Sequence, residues 1–583
     1  MRWLLLAILM IDLVIVAWLF TGKQSQQEAD FVFVCGTAHR RLDPQRMSWG
    51  IDLRIAECLF DPLTRIKLPE MVVEPAAAER WQVSEDGRTY TFHIRSDARW
   101  SNGDPVKASD FVYAWRRALM PDLVADYSQL LWVIDGAERF YTWRQQQLME
   151  YAAGEPDSEI AKQYYHDALD KFEKWVAVRV QGDKTLVVKL VRPVHYFLQL
   201  CAFGTYMPVH QPTVESQTTI DRHSGRLVQD PSWTNPRKLV CNGPYVLSRR
   251  RFKRDLLMVA NPHYWNRAAM GNQSILELII QNPANALMLY EMGQVHWLPD
   301  IPSSGAIAAD LLEQKRDDVH IAAAAGTYFY NFNCKSTLLD GSDNPLADPR
   351  VRRALAMGID RSSIVKNITR LKQRPAMSFT PFGAIPGFDP PREAGASFNP
   401  QQARSLLAEA GYDSIRGSKQ LKGLSILYNT GSGHEQIAQA IKRTWEHELG
   451  VVVKLEGQEV ASFGERLKNH DFTIARAGWF GDYRDPTTFL DKFRTDNGNN
   501  DAAYSNLAFD RLMQDASSEL HPIKRMAILR QAESLMLLEQ PIAPIYQYVN
   551  FQMFKQDHVK NMFPNPWNYR RLELVEVNSV VGD

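Results

Sequence analysis

The chain has 583 residues, of which 45% are apolar and 23% are charged, the composition of an ordinary globular protein. This length exceeds one typical hydrophobic core and predicts about two or three structural units. Lysine plus arginine and aspartate plus glutamate both total 67, so the formal net charge is zero. That balance argues against a nucleic-acid partner, since nucleic-acid-binding proteins present a basic surface.

The N-terminal segment, residues 1–22, is predicted to be a membrane anchor or an export signal. From Trp3 to Phe20 the sequence is apolar apart from Asp12, and about 18 apolar residues can just span a bilayer. Arg2 favours a cytoplasmic N-terminus, and a cleaved signal would have a shorter apolar core and a small-x-small cleavage site. We expect an uncleaved anchor in the inner membrane, with a cleaved signal as the alternative. Either way, the rest of the chain is exported.

The remaining sequence mixes strand and helix signals without an internal repeat. A polar linker at residues 23–30 precedes the folded body, and the alternating residues Thr89–Ile94 predict a half-buried strand. Residues 137–183 are charged and helical in pattern, which predicts a solvated helical insertion of unknown role. Helices are predicted to begin at Ser109 or Asp110, at Asp348-Pro349 and at Asn399-Pro400. This order predicts an α+β fold.

No motif for catalysis, a metal or a cofactor stands out. The cysteines form no C-x-x-C pair, so we interpret them as buried small apolar groups. They lie at positions 35, 58, 201, 241 and 334. The segment His434–Ala438 lacks the second histidine of a zinc-protease motif, and no G-x-S-x-G sequence is present. We therefore expect neither an enzyme nor a bound cofactor.

The segment Ala475–Pro486 carries the most chemical information. It follows residues 472–474, whose alternation predicts a strand. If the backbone stays extended, Arg476 and Asp482 share a face, because they are an even number of residues apart. A carboxylate beside a tryptophan, held by a guanidinium, suits one ammonium group, and no nucleophile or histidine lies next to it. The segment therefore predicts binding of a small amine-bearing molecule rather than its conversion.

Short segments along the chain, taken together in this order, carry a family resemblance. They are Leu42–Pro44, Trp81–Gly87, Trp100–Pro105, Asp110–Trp115, Asn242–Tyr245, Asn261–Trp265, Arg350–Leu355, Ile359–Arg361, Leu406–Tyr412 and Pro541–Tyr546. The chain resembles the bacterial extracellular solute-binding proteins of family 5, the oligopeptide-binding proteins of ABC transporters. The resemblance implies capture of oligopeptides by hinge closure and delivery to ABC permease subunits, by a monomer. A membrane-tethered peptide sensor or scavenger and an exported peptidase are the alternatives.

The resemblance also implies a type II periplasmic-binding-protein fold, with two hinged lobes and an extra accessory domain. Lobe I would combine residues 31–60, 210–322 and 550–583. The accessory domain would span residues 61–209, with the insertion inside it, and lobe II residues 323–549.

The resemblance implies roles for several site residues. Asp482 matches the aspartate that receives the ligand ammonium group, and Arg476 either contacts ligand or pairs with Asp482 structurally. Gly478 and Gly481 would let a ligand backbone approach closely. Trp479 would form the wall of a side-chain pocket or, alternatively, belong to the core.

Further ligand contacts are implied elsewhere in the chain, namely at Tyr127, Asn429, His434, Tyr546, Tyr548, Trp49 and Gly50. The tyrosines could equally be core residues. His434, with Arg466 or Lys468 nearby in sequence, could bind the ligand carboxylate. Trp49-Gly50 would offer backbone to the ligand as a strand, and Ser48 occupies the position of a nearby acidic residue of the family.

Overall fold

The computed structural model describes residues 29–299, 306–412, 421–431 and 433–578. Within these ranges the chain forms three larger β-sheets with helices packed around them. The predicted membrane segment, residues 1–22, lies outside the described residues. None of the described helices combines the length and the apolar character needed to cross a bilayer.

The strands are β1 (Phe31–Cys35), β2 (Thr64–Lys67), β3 (Val72–Pro75), β4 (Ala78–Val83), β5 (Thr89–Ile94), β6 (Val178–Gln181), β7 (Thr185–Lys189), β8 (Thr218–Ile220), β9 (Leu227–Gln229), β10 (Tyr245–Arg251), β11 (Asp255–Ala260), β12 (Ser274–Ile279), β13 (Val319–Phe332), β14 (Arg374–Pro375), β15 (Ser425–Asn429), β16 (Lys454–Gln458), β17 (Ile474–Phe480), β18 (Ile542–Met553), β19 (Val559–Lys560) and β20 (Glu576–Val577).

The α-helices are α1 (Gly50–Leu59), α2 (Ala108–Leu119), α3 (Ala137–Ala152), α4 (Ser158–Trp175), α5 (Phe197–Leu200), α6 (Gln211–Glu215), α7 (Pro283–Glu291), α8 (Ala306–Glu313), α9 (Pro349–Met357), α10 (Arg361–Ser363), α11 (Pro400–Glu409), α12 (His434–Leu449), α13 (Val460–Lys468), α14 (Thr487–Leu490), α15 (Leu507–Ser518) and α16 (Pro522–Glu539).

Local sequence signals explain where several elements begin. Residues Thr89–Ile94 form β5 as predicted, with every second residue buried. Asp348 and Asn399 are the N-caps of α9 and α11, and each side chain accepts a hydrogen bond from a backbone N–H of the first turn. Helix α2 begins earlier than predicted, because Lys107 is its N-cap and the Asp110 carboxylate accepts a hydrogen bond from the Lys107 N–H at 2.8 Å.

The first sheet and the sheet of the predicted accessory domain share one hydrophobic core. The first has the strand order β1-β12-β11-β10, with β1 and β12 parallel. The second has the order β4-β5-β7-β6 and is antiparallel throughout. Phe33 of β1 and Phe92 of β5 belong to the same cluster of buried residues. The two sheets therefore form one continuous packed unit.

The third sheet has six strands in the order β14-β18-β13-β17-β15-β16. Its central strand β13 pairs antiparallel with β17 on one side and with β18 on the other. Strand β15 pairs parallel with β16 and with the start of β17. Separate hydrophobic clusters contain Tyr330 and Phe329, neighbouring residues whose side chains point to opposite faces of β13. The sheet is therefore covered on both faces.

Two long strands connect these units. Strand β13 has 14 residues and β18 has 12, and they pair from Val319 opposite Met553 to Asn331 opposite Ile542. Met553 packs in the same cluster as Val32 of the first sheet, whereas Ile542 packs in a cluster of the third sheet. Each strand thus runs from one core to the other. The predicted limits of lobe II, residues 323 and 549, fall inside them.

The predicted helical insertion, residues 137–183, packs closely against the accessory domain. It forms α3, α4 and β6. The side chain of Arg144 is fully buried and donates to both carboxylate oxygens of Asp122, at 3.0 and 2.8 Å. Asp122 lies shortly before Tyr127 in the chain. Helix α3 therefore braces the segment that carries Tyr127.

The folded body begins before β1. Ala29 and Asp30 are the last two residues of the predicted linker, and Ala29 is buried in the cluster that contains β1 residues. The Asp30 carboxylate accepts a hydrogen bond from the backbone N–H of Gln273 at 2.7 Å. Both residues therefore belong to the packed structure.

Candidate ligand-binding site

A cavity of about 1170 Å³ lies between the accessory domain and the end of β17. One wall comes from residues 126–130, 132, 133, 138, 141, 191, 192, 196 and 200, and the facing wall comes from residues 479, 480, 482, 483, 487, 488, 491, 492 and 494–499. The cavity is large enough for a molecule of several residues, since ligand sites typically measure about 300–1,000 Å³. At this cavity the segment Ala475–Pro486 meets residues of the predicted accessory domain.

Asp482 places a carboxylate on the wall of this cavity. Strand β17 ends two residues earlier, and the backbone N–H of Asp482 donates to the Thr488 hydroxyl at 2.9 Å. Across the cavity the Tyr127 hydroxyl donates to Oδ1 of Asp482 at 2.9 Å. Burial raises the pKa of Asp482 to about 6, and the Tyr127 hydrogen bond opposes that rise.

The Asp482 carboxylate has no cationic partner within the described part of the chain. A carboxylate removed from water is costly when it lacks a counter-charge, and one hydroxyl supplies only part of the compensation. An ammonium group entering the cavity would supply the rest through charge-assisted hydrogen bonds. The geometry therefore suits a ligand that presents a positive charge.

The alternative that Arg476 pairs with Asp482 is wrong. Arg476 lies inside β17, whereas Asp482 lies beyond its end, so the extended backbone that would align them does not continue. The guanidinium instead donates to Oδ1 of Asn429 at 3.2 Å and to the hydroxyl of Tyr548 at 3.3 Å. The sequence pattern predicted an extended backbone from Arg476 to Asp482, but β17 ends at Phe480.

His434 and Tyr546 are both buried, and both contact Tyr328. The His434 ring nitrogen Nδ1 lies 3.2 Å from the Tyr328 hydroxyl. Burial, together with the positive charge of Arg476, lowers the pKa of His434 to about 4. In the ligand-free site His434 is therefore neutral at neutral pH, and in that form it offers a ligand carboxylate a hydrogen bond rather than an ion pair. Tyr546 stacks on Tyr328 with 4.8 Å between ring centroids and belongs to the core, as the alternative proposed.

The two other cations predicted near a ligand carboxylate differ in their surroundings. Arg466 is engaged by Glu456 and Asp471, at 2.7 and 2.8 Å. Lys468 is exposed and lines the cavity. Lys468 is therefore the better placed of the two to meet a ligand.

Trp479 and Gly478 have structural partners of their own. The Trp479 indole N–H donates to the carbonyl oxygen of Thr488 at 2.7 Å, and its ring lines the cavity while packing on a core cluster. Trp479 is thus both a wall residue and a core residue. A Cβ atom at Gly478 would lie 2.5 Å from the Tyr548 hydroxyl. The glycine therefore makes room for Tyr548, a role that the sequence did not suggest.

Trp49 and Gly50 do not form a strand. Trp49 is the N-cap of α1 and Gly50 is its first residue, so the Trp49 carbonyl accepts hydrogen bonds from two N–H groups of the first turn, at 2.9 and 3.0 Å. The expectation that they offer an extended backbone is wrong for Gly50. The neighbouring Ser48 hydroxyl donates to Asp126 at 2.7 Å, and both residues line the cavity. Asp126 thus supplies an acidic group that the sequence argument missed.

Other missed residues hold the two walls together. The Tyr196 and Tyr483 rings stack with 4.0 Å between their centroids, and the backbone N–H of Arg484 donates to the Gln199 side chain at 2.8 Å. Tyr483 was visible beside Asp482, but its partner is distant in sequence. These contacts join the accessory domain to the segment after β17.

The edge of β17 next to the cavity is only partly paired. Strand β13 pairs with β17 from Ile474 to Phe480, whereas β15 pairs with it only at Ile474 and Ala475. Within the described ranges no other strand pairs with β17. The backbone of residues 476–480 therefore has one edge open to further pairing.

Comparisons with known proteins agree with this architecture. The profile of the family described as bacterial extracellular solute-binding proteins, family 5 Middle, matches residues 72–501. The oligopeptide-binding protein OppA of Bacillus subtilis (strain 168) is 33% identical over 495 residues, which cover 84% of this chain and 82% of that protein.

Solved structures superpose on most of the chain. The Escherichia coli murein tripeptide binding protein MppA matches with a TM-score of 0.73 and 29% identity, over 94% of this chain and 99% of that chain. Haemophilus influenzae OppA in complex with the peptide RPPGFSPFR matches with a TM-score of 0.71 and 27% identity, over 94% and 99% of the two chains. The chain belongs to family 5 of the bacterial extracellular solute-binding proteins.

Proposed function

We propose that this protein is the substrate-binding component of an ABC peptide importer, which captures oligopeptides by their free amino terminus. The observation that carries the proposal is the Asp482 carboxylate, which faces the cavity with a tyrosine hydroxyl as its polar partner and with no cation from the described residues beside it. Related proteins are named oligopeptide-binding proteins, which supports the proposal. The α-ammonium is the group that every unmodified peptide offers, whatever its sequence.

The open edge of β17 accounts for the rest of the ligand. A peptide that enters in an extended form can pair its backbone with residues 476–480, which gives affinity without reading side chains. In this arrangement the first ligand residue lies at Asp482 and the following residues run along the strand. The side chains then occupy the wide cavity, where water can complete their hydrogen bonds.

We assign the predicted domains to a hinged mechanism. Lobe I combines residues 31–60, 210–322 and 550–583, the accessory domain is 61–209, and lobe II is 323–549, with β13 and β18 as the hinge strands. The hydrogen bond between Tyr127 and Asp482 joins the two sides of the cleft. Ligand favours the closed state only through contacts that the open state lacks. Moving the population from mostly open to mostly closed requires about 5 kcal/mol of such preference.

Calorimetry on the purified chain tests the proposal. Free-amine peptides of two to six residues are titrated next to their N-acetylated counterparts, with Asp482→Asn as the matched variant. We expect binding of free-amine peptides, much weaker binding after acetylation, and loss of this preference in Asp482→Asn. Failure of every peptide in such a library would refute the peptide assignment. Mass spectrometry of molecules that co-purify with the chain identifies the natural ligand independently.

We further propose that the protein works outside the cytoplasm as a monomer. Residues 3–20 would anchor it in the inner membrane or be cleaved as a signal, and permease subunits would receive the ligand. Membrane fractionation distinguishes the two forms of the N-terminus, and co-purification from membranes tests the permease contact. Peptides recovered intact after incubation with the protein would support a binding role without catalysis.

A further inference from the structure

A buried carboxylate lies in the first sheet, away from the ligand cavity. Glu277 of β12 is opposite Phe33 of β1 and is fully buried. Its Oε2 atom lies 2.6 Å from Nε2 of His39, whereas its Oε1 atom is buried and has no hydrogen-bond partner among the described residues. Burying a carboxylate oxygen without a hydrogen-bond partner costs free energy of folding. The presence of Glu277 at this position therefore calls for an explanation.

Cys35 and His39 lie next to this carboxylate. Cys35 ends β1, and its side chain shares a face with Phe33, two residues earlier, and therefore with Glu277. One possible ligand atom from each of Cys35, His39 and Glu277 lies within 4.8 Å of the other two. On its far side, Nδ1 of His39 lies 2.7 Å from a carboxylate oxygen of Asp52 in α1.

We propose that Cys35, His39 and Glu277 form a binding site for Zn²⁺, with Asp52 as the residue that orients His39. Sulfur, imidazole nitrogen and carboxylate oxygen are the donors that zinc accepts in proteins. Zinc–ligand bonds of roughly 2.0–2.3 Å place tetrahedral ligand atoms roughly 3.3–3.8 Å apart, so small side-chain shifts bring the three donors to one ion. A water molecule can fill the fourth position.

The position of Asp52 strengthens the assignment. Histidine ligands of zinc commonly hold their second ring nitrogen against a carboxylate, which fixes the ring orientation and the tautomer. Here Asp52 leaves Nε2 directed at Glu277. Cys35 would bind as the thiolate and His39 through an unprotonated Nε2, so the thiol proton and the proton that Nε2 shares with Glu277 are both released to solvent when the ion enters.

Zinc at this point would join β1, the following loop, β12 and α1. Because the site requires Glu277 and His39 to come together across 238 sequence positions, the unfolded chain does not contain it. Binding to the folded state alone stabilises that state. The cysteine spacing gives no sign of the site, since only Cys35 and His39 are close in sequence and the third donor arrives through sheet pairing.

The test measures zinc binding by the purified full chain and requires no peptide. The protein is treated with EDTA, reloaded with ZnCl₂, freed of excess metal and analysed by inductively coupled plasma mass spectrometry. We expect one tightly held zinc per chain, and none in Cys35→Ser or Glu277→Gln. Asp52→Asn should bind zinc about 10–100-fold more weakly. Cys201→Ser is the matched control, because Cys201 is equally buried but lies outside the cluster.

Cobalt substitution of the wild-type chain provides a second measurement that does not depend on a variant folding. We expect a thiolate-to-Co²⁺ charge-transfer absorption, which Cys201→Ser retains and a folded Cys35→Ser loses. Substoichiometric zinc in the wild type, a cobalt complex without that absorption, or wild-type zinc affinity in Cys35→Ser would each overturn the site. Peptide binding is measured separately, so failure here is distinguishable from failure of the proposed function.

Discussion

Acidification should release free-amine peptides from this protein. Burial raises the pKa of Asp482 in the ligand-free site to about 6, from an ordinary value of 3.8. The ammonium group requires the ionised carboxylate, and the peptide amino group, with a pKa of about 8, stays charged below pH 7. Affinity is therefore full above the raised pKa and is lost as the pH falls through it.

The magnitude follows from the ionised fraction of the carboxylate. A group with a pKa of about 6 is about 90% ionised at pH 7 and about 10% ionised at pH 5. The apparent Kd for a free-amine peptide should then rise about tenfold between these pH values, equivalent to about 1.4 kcal/mol. His434 does not contribute, because its pKa of about 4 keeps it neutral over the range.

Calorimetry with trialanine and N-acetyl-trialanine at pH 7, 6 and 5 checks this expectation. The Asp482→Asn variant should bind trialanine weakly and with a flat pH profile. Asp491→Asn is the matched control, because Asp491 also lines the cavity and burial raises its pKa to about 6. That variant should keep the tenfold loss. A flat wild-type profile, or the same slope in Asp482→Asn, would refute the reasoning.

Three further predictions concern single residues. Tyr127→Phe removes the hydroxyl that reaches Asp482 and should weaken peptide binding about threefold to tenfold by calorimetry, the effect of one hydrogen bond. Asp482→Asn should raise the Tm of the ligand-free protein at pH 7, because the folded state disfavours the ionised acid there. Gly478→Ala should lower the free energy of unfolding by about 1–3 kcal/mol in urea, since its Cβ meets the Tyr548 hydroxyl. Gly464→Ala is its control: no atom of the described residues lies within 4 Å of that Cβ in α13, so stability should rise by about 0.5–1 kcal/mol.

Unchanged affinity in Tyr127→Phe would mean that the hydroxyl is replaced by water at no cost. A lower Tm in Asp482→Asn would mean that the carboxylate is better satisfied than its surroundings indicate. Equal unfolding free energies for the two glycine variants would mean that Tyr548 moves away freely.

Much of the secondary structure and the family follow from the sequence, because these features depend on neighbouring residues. Asp348 and Asn399 are followed by proline, which is enough to predict the start of a helix. The alternation of Thr89–Ile94 is likewise local. The start of α1 is different: glycine is compatible with many backbone conformations, so the choice between strand and helix at Gly50 depends on tertiary packing.

The sequence singled out Asp482, which lies on the cavity wall, but it did not predict the contacts around that residue. Because β17 ends between Arg476 and Asp482, the two side chains do not meet. Arg476 contacts Asn429 and Tyr548 instead of Asp482. Strand ends are set by pairing with β13 and are not visible in a single segment. Tyrosine, which suits both cores and wet surfaces, is equally uninformative until its neighbours are known.

The pairing of β13 with β18 has a consequence for how the protein could have been assembled in evolution. Val319 and Met553 face each other across adjacent strands, and neighbouring strands lie about 4.8 Å apart. The chain therefore leaves the core of the first sheet and returns to it at almost the same point in space. A gene fragment encoding residues 319–553 would specify a unit whose ends meet. Such a unit can be inserted into, or exchanged between, related proteins at one locus without rerouting the rest of the chain.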